Sequence, residues 1–308
     1  MKDQTLIEKL VQSWKRAWTT RRLVQALGSN NTAEREAAAL RIFAFGDEAG
    51  AILYRALWGP ARSACGAAVA LDGMDDSGGI RRILRRAYEE EWLSTLYSAQ
   101  AEIAFDALCW LPRETVVREF HRALDAASIE SELPKVLTQL SLALSAIRLL
   151  NRRGATEREI LQRGILFGVR SLRFLSRNSS VVLAYNLTHT LRLEAIRGLL
   201  VRDPEMRLQV FTDALQSRDL SVVRTTIGGM RRGGDRRAAA YLHPIAFGGG
   251  HPCAELAREA YARLIGSQAD PLTLLRPSQE QTAPDELLRP AAAADNSRDR
   301  DELLRSNG

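Results

Sequence analysis

A helical unit that occurs twice near the C-terminal end of the sequence constrains the fold more than any other feature. The two copies occupy residues 215–230 and 252–266. When Arg224 is aligned with Arg258, 34 residues later, the apolar residues three and six positions further on also coincide. A period of a few tens of residues is typical of a solenoid, in which each unit buries its apolar face against its neighbours.

Apolar residues recur at helical spacing along the rest of the chain, and no alternation typical of strands is present. Local signals mark the helix starts: Asn31 precedes Glu34, and Thr156 precedes Glu159, at the spacing of a capping box. Asp203 is followed by proline and glutamate, which favours a helix start there. We predict seven helix pairs, at about 20–28 with 32–44, 47–57 with 60–72, 79–92 with 96–110, 113–127 with 133–151, 155–176 with 179–202, 203–217 with 219–231, and 235–247 with 252–265.

Asp219, Val223 and Arg224 follow a recurring pattern, Asp-x-x-x-Val-Arg. In this pattern the chain resembles HEAT-repeat proteins, most closely the short-period HEAT-like repeats of the bilin-lyase type, whose second helices open this way. The similarity is good over residues 20–75 and 203–266 and weak between them. It implies an all-α fold, a right-handed α-solenoid of about seven stacked antiparallel helix pairs with a degenerate middle. The arginines of the motif and of its looser copies are expected to reach carbonyls or acids of a neighbouring unit; they are Arg35, Arg62, Arg224 and Arg258.

We expect three regions. Residues 1–19 form a capping helix, residues 20–266 the HEAT-like solenoid, and residues 267–308 a largely disordered tail rich in proline, alanine and charge. The tail repeats a Leu-Leu-Arg phrase, which suits one helical turn docking into an apolar groove. The capping helix is predicted from an apolar stripe, which comprises Leu6, Ile7, Leu10, Val11, Trp14 and Trp18.

The abundance of arginine makes nucleic-acid binding one function to consider. The net charge is +6, and 39 of the 43 basic residues are arginine, a side chain suited to phosphate. The tail has eight acids and five bases, a net of −3, which leaves +9 for residues 1–266. The densest basic patches are residues 81–86 and 231–237, and a diffuse arginine stripe runs through residues 152–177. Glutamates at residues 89–91 are expected to neutralise the first patch within its own helix.

The sequence indicates a cytoplasmic protein without a membrane span. No apolar run approaches the roughly 20 residues that a span requires, and the N-terminal residues are amphipathic rather than apolar. Cys65, Cys109 and Cys253 are scattered within apolar-periodic segments, so we expect three buried, reduced thiols.

We expect no cofactor, metal site or catalytic group. His243, His251 and Cys253 lack the close ligand pairs that zinc sites use. The aspartates at positions 72, 75 and 76 lack the spacing of a calcium loop and are predicted to form a solvated turn that caps the next helix.

The leading hypothesis is therefore a non-catalytic scaffold whose inner helices present a concave groove to a protein or peptide. The alternatives are a lyase or chaperone acting on a chromophore-bearing protein, which rests on the family resemblance, and nucleic-acid binding in the manner of alkyl-base glycosylases. For the last, Asp106 and Trp110 lie one turn apart. The candidate binding residues lie on predicted second helices: Arg62, Tyr185, His189, Arg192, Arg224 and Arg258.

Overall fold

The structure, a computed structural model, describes residues 2–93, 98–130, 132–154, 156–168 and 179–266. Within these ranges the chain is entirely helical, which confirms the predicted all-α class. The chain divides into one unit of residues 1–265 and another of residues 266–308. The predicted tail and its Leu-Leu-Arg phrases lie outside the described residues. The helices are α1 (Lys2–Ala26), α2 (Thr32–Phe43), α3 (Glu48–Ala56), α4 (Ala61–Asp72), α5 (Gly78–Glu89), α6 (Ala99–Leu108), α7 (Arg113–Ile129), α8 (Leu133–Arg152), α9 (Arg158–Leu166), α10 (Ser179–Leu200), α11 (Pro204–Leu215), α12 (Leu220–Gly233), α13 (Ala238–Phe247) and α14 (Ala254–Gly266).

Side-chain caps set several helix starts. Asn31, Asp203 and Asp219 each accept a hydrogen bond from the backbone N–H two residues further on, at 3.0, 2.9 and 2.8 Å. Each cap pairs a backbone donor that has no partner inside the helix. The starts of α2, α11 and α12 are thus fixed by local chemistry, as predicted.

Other boundaries differ from the prediction. The capping box at Thr156 is wrong: α9 begins at residue 158, and the Thr156 hydroxyl donates to Asn151 Oδ1 at 2.8 Å instead. The helix predicted over 20–28 is the continuation of α1, which runs without a break through residue 26. The helix predicted over 155–176 ends at residue 166, because Phe167 takes an extended backbone conformation.

Helices pack mainly against others close to them in the chain. Helix α8 contacts α5, α7 and α10, and α10 in turn contacts α8, α9, α11 and α12. Nearly every packed pair lies within three positions of one another in helix order. One continuous apolar core results, which extends from Leu23 in α1 to Leu264 in α14.

The helical unit that occurs twice in the sequence has similar environments in its two copies. Arg224 and Arg258 are both exposed on their helices. Met230 and Leu264, six residues further on, are both about 1% exposed. The alignment proposed from the sequence therefore places equivalent residues on equivalent faces of α12 and α14.

Helix α8 is a core helix. By length and mean hydropathy alone it could cross a membrane, although its 61% burial against neighbouring helices is typical of the interior of a soluble fold. Serine, threonine and glutamine interrupt its apolar residues, which is why the sequence shows no long apolar run here. Its packing against α7 and α10 positions the site described next.

Candidate functional site

A cavity of about 1110 Å³ opens between α7, α9, α10 and the connection from α11 to α12. Three of the six predicted binding residues line it: Tyr185, His189 and Arg192, all from α10. The other three lie elsewhere, with Arg62 half-buried on α4 and Arg224 and Arg258 exposed on α12 and α14. The structure thus brings together the α10 residues and leaves the motif arginines apart.

Arg192 forms the inner wall of this cavity and is only 3% exposed. Its Nε and Nη2 donate to the carbonyl oxygen of Phe167, just beyond α9, at 3.0 and 2.7 Å. Nη2 also donates to Asp219 Oδ2 at 3.1 Å, and Nη1 donates to the hydroxyl of Ser221. One guanidinium therefore joins the end of α9 to the start of α12.

The Asp219 carboxylate serves both α12 and Arg192. Oδ1 accepts from the backbone N–H and the hydroxyl of Ser221, both at 2.8 Å. Burial by itself raises the pKa of Asp219, but the hydrogen bonds from Ser221 and the Arg192 charge outweigh it, so the pKa is lowered. Burial also lowers the pKa of Arg192. The lowered pKa of Asp219 favours its charged form, whereas the lowered pKa of Arg192 disfavours its charged form. The shift of Asp219 is the informative one, because a guanidinium stays charged at any ordinary pH.

Large apolar side chains at the cavity are left open to solvent. Ile129 at the end of α7 is 85% exposed, Leu166 at the end of α9 is 40% exposed, and Tyr185 on α10 is 52% exposed. The amide side chains of Gln162 and Asn186 also line the cavity, and Nε2 of Gln162 donates to Asp213 Oδ2 at 3.3 Å. Apolar anchors with a few hydrogen-bonding groups are the usual lining of a binding site.

The charges around the cavity are largely paired. Arg163 forms an ion pair with Asp125 and donates to Nδ1 of His121 at 2.7 Å. Burial, followed by the Arg163 charge, lowers the pKa of His121, which favours the neutral form of its ring. Arg218, next to Asp219, is exposed at the mouth.

More than half of the arginines in the two basic patches predicted from the sequence form ion pairs with acids. Arg85 and Arg86 pair with glutamates one turn later, both at 2.6 Å, so neutralisation within α5 is confirmed for these two. In the second patch Arg231 pairs with Glu259, and Arg237 pairs with acids at positions 205 and 235. Residues 169–178, which carry part of the arginine stripe, lie outside the described residues.

The candidate metal ligands have other partners. Nδ1 of His251 accepts from the backbone N–H of Cys253 at 3.0 Å, and His243 packs against the rings of Phe247 and Tyr261. Across the part of the chain that the structure describes, no three histidine, cysteine, aspartate or glutamate residues are grouped for a metal ion.

The aspartate turn between α4 and α5 is only partly solvated. Asp75 is exposed, but Asp72 accepts from the Thr115 hydroxyl at 2.9 Å. Asp76 accepts from the Tyr54 hydroxyl at 2.7 Å and from the backbone N–H of Gly78 at 2.9 Å, so it does cap α5 as predicted. These carboxylates connect helices.

The three cysteines differ from one another. Cys65 and Cys253 are buried and free, as predicted, and burial raises the pKa of the Cys65 thiol to about 12. The prediction for Cys109 is wrong: it is exposed, because it is the C-cap of α6 and not part of its buried face. For the glycosylase-like alternative, Trp110 lies beneath the Arg35 guanidinium at 4.1 Å, and Asp106 is exposed.

The sequence did not identify the residues of the cavity that lie outside α10, namely Ile129, Gln162, Leu166 and Arg218. Ile129 and Leu166 lie at helix ends, Gln162 lies within α9, and Arg218 lies in the connection between α11 and α12. One signal in the sequence could have identified Ile129. It is a large apolar residue at the last position of its helix, a position that is normally open to solvent.

The comparisons with known proteins leave the family open. A scan against models of protein families and a search of curated proteins each found no match to this chain. The similarity to HEAT repeats therefore rests on the sequence motif, and the function is argued from the geometry of the cavity.

Proposed function

We propose that this chain is a non-catalytic binding protein, built as a HEAT-like α-solenoid, that holds a peptide segment of a protein partner in the cavity beside α10. The solenoid is supported by the packing of helices against near neighbours in the chain and by the matched environments of the two copies. Free thiols at all three cysteines fit a reducing, cytoplasmic location.

The observation that carries the proposal is the exposure of Ile129, Leu166 and Tyr185 around one cavity. Apolar side chains from three different helices converge there without covering one another. Exposed apolar patches of this kind, bordered by polar groups, are typical of interaction sites. The volume, about 1110 Å³, exceeds the roughly 300–1000 Å³ of most small-molecule pockets, which favours a peptide.

The side chains that line the cavity indicate what kind of peptide it would bind. One or two large apolar side chains would pack against Tyr185 and Leu166, while the exposed amide of Asn186 would pair with peptide backbone. Arg218 lies at the mouth, and residues 1–266 carry a net charge of +9. An acidic segment with apolar anchors is therefore the best electrostatic match.

Nucleic-acid binding ranks second. Its support was the density of arginine, but five of the eight guanidiniums in the two basic patches have acidic partners. A continuous array of unpaired cations is what phosphate binding requires. The lyase alternative has no chemical group in the cavity to support it beyond the sequence resemblance.

The test begins with a displayed library of random peptides, from which a peptide that binds the full chain is selected. The selected peptide is then synthesised. Its dissociation constant is measured for the wild type, for Tyr185→Ala and for a matched control, Tyr241→Ala. Tyr241 is 43% exposed on α13, away from the cavity. We expect Tyr185→Ala to weaken binding about tenfold or more, as loss of an aromatic anchor does, with no change for the control.

Two results would contradict the proposal. One is a peptide whose affinity falls equally in both tyrosine variants. The other is selection of peptides that lack large apolar residues and dissociate steeply with added salt, since that behaviour indicates non-specific charge attraction to a basic surface.

A further inference from the structure

The middle of α1 carries large apolar side chains that are open to solvent. Residues 11–19 are all exposed, and Val11, Trp14 and Trp18 are 45%, 70% and 51% exposed. The sequence continues the same spacing towards the N-terminus with three further apolar residues at positions 6, 7 and 10. Exposed tryptophans on successive turns of one helix require an explanation outside the solenoid core.

Trp14 lies on the side of α1 that faces away from the rest of its unit, while Trp18, one turn later, stacks with Arg22 at 4.7 Å and borders a cleft that Arg41 of α2 also lines. Leu23 and Leu27 are buried, 8% and 1% exposed, and mark the packed side. Arg16 lies on that side as well, since it pairs with Glu48 at 3.6 Å. Trp14 precedes Leu23 by nine residues, which is about two and a half turns and so places it on the opposite side.

The charge of this segment is unusual within the chain. Residues 1–22 contain six basic and two acidic residues, a net of +4. Three of the four lysines in the entire sequence are here, at positions 2, 9 and 15. By helical spacing, Lys15 and Arg22 lie at one edge of the apolar stripe, and both are exposed. A charged edge beside an apolar face is the pattern of a helix that lies at a membrane surface.

We propose that α1 binds the surface of an anionic phospholipid bilayer, with Trp14 and Trp18 inserted at the level of the headgroups. Tryptophan is enriched at that depth because its ring is apolar and its N–H is polar. Lysine side chains bury their carbon stems and extend the ammonium to the phosphates. The stripe is about 18 Å long at 1.5 Å per residue, so the helix lies along the surface and does not cross it.

Charge also decides against a second copy of this chain as the occupant. Two α1 helices that paired through their tryptophans would bring two segments of net charge +4 together. Like charges at such a distance repel, whereas the negative surface potential of anionic lipid attracts each basic residue. An anionic apolar surface satisfies the apolar face and the charge together.

The experiment is co-sedimentation of the full chain with vesicles of phosphatidylcholine alone or of phosphatidylcholine and phosphatidylglycerol in equal parts. The wild type is compared with Trp14→Ala, Lys15→Gln and a matched control, Trp58→Ala. Trp58 is 68% exposed and lies under an arginine, but it belongs to the connection between α3 and α4. Thermal unfolding of each variant shows that the fold is retained.

We expect the wild type to bind the anionic vesicles, and less tightly as salt is raised. Lys15→Gln should weaken this binding roughly fivefold, the effect of removing one cation near a charged surface. Trp14→Ala should weaken it about tenfold through lost apolar burial, and Trp58→Ala should leave it unchanged.

Equal binding to neutral and anionic vesicles, or equal losses for the two tryptophan variants, would overturn the proposal. So would a wild type that ignores lipid but sediments as a dimer that Trp14→Ala converts to monomer, because the stripe would then be covered by a second copy.

Discussion

Removal of the Asp219 carboxylate should destabilise the protein through two separable effects. The carboxylate caps α12, and loss of a cap costs about 1 kcal/mol. It also balances Arg192, which is 3% exposed. Breaking a fully buried ion pair costs about 3–5 kcal/mol, but the Asp219 side chain is 35% exposed, so we take about 2 kcal/mol. Asp219→Ala should therefore lower the free energy of unfolding by about 3 kcal/mol.

Asp219→Asn separates the two effects, since asparagine caps helices as well as aspartate does. We expect a loss of about 2 kcal/mol, from the ion pair alone. The assay is urea unfolding followed by far-ultraviolet circular dichroism at neutral pH. Glu89→Gln is the control, because it breaks an exposed pair whose side chains are 54% and 52% exposed and should cost less than about 0.5 kcal/mol.

The pH dependence supplies an independent check. Because the pKa of Asp219 is lowered in the folded protein, its contribution is complete above the ordinary pKa of aspartate and is lost as the pH falls through the lowered pKa. The difference between wild type and Asp219→Asn should shrink over that acidic range. Equal losses for Asn and Ala, or an Asn variant no less stable than Glu89→Gln, would refute the reasoning.

Two further substitutions test packing and arginine geometry, again by urea unfolding. Gly66→Ala would place a methyl group against the backbone carbonyl of Leu27 and should cost about 2–3 kcal/mol, whereas Gly228→Ala, with no atom within 4 Å, should stabilise α12 by up to about 1 kcal/mol. Arg86→Lys should cost about 1–2 kcal/mol and Arg85→Lys less than about 0.5 kcal/mol, since both pair with a glutamate but only Arg86 also holds two carbonyls. Equal effects within either pair of variants would contradict the structure.

The parts of the fold that the sequence predicted are those set by local chemistry. Asp203 and Asp219 start helices because a side-chain oxygen reaches a backbone N–H two residues away, a contact that needs no knowledge of the tertiary structure. The alignment of residues 224 and 258 succeeded for a related reason. Helical periodicity alone determines which positions face the core once the period is known.

The candidate site was predicted less well because it depends on contacts between distant segments. Tyr185 and His189 were chosen for their polarity on a long helix, and they do line the cavity. Arg192, chosen with them as a surface residue, is buried, because the end of α9 lies beside it. No local sequence pattern predicts that the end of α9 lies beside Arg192. Ile129 and Leu166 were missed for the same reason, because their role depends on contacts between distant segments.

The arginine content of the chain follows from these distant contacts. Arg86, Arg153 and Arg192 each donate to carbonyls at the C-terminal end of an earlier helix: α3, α6 and α9 respectively. The last carbonyls of a helix have no partner within it and carry partial negative charge. The planar fork of arginine can pair two such acceptors at once, which the single ammonium of lysine does not match.

This use of arginine was anticipated for other residues, with one exception. Of the arginines assigned such contacts from the sequence, Arg35 donates to the carbonyl oxygens of Ser29 and Asn30 just beyond α1, at 2.8 and 3.1 Å, whereas Arg224 and Arg258 are exposed. Arg86, Arg153 and Arg192 lie outside the motif. Internal hydrogen bonding thus accounts for much of the excess of arginine without a nucleic acid. Lysine, which suits contact with a hydrated external surface, is concentrated in α1, which contains three of the four lysines.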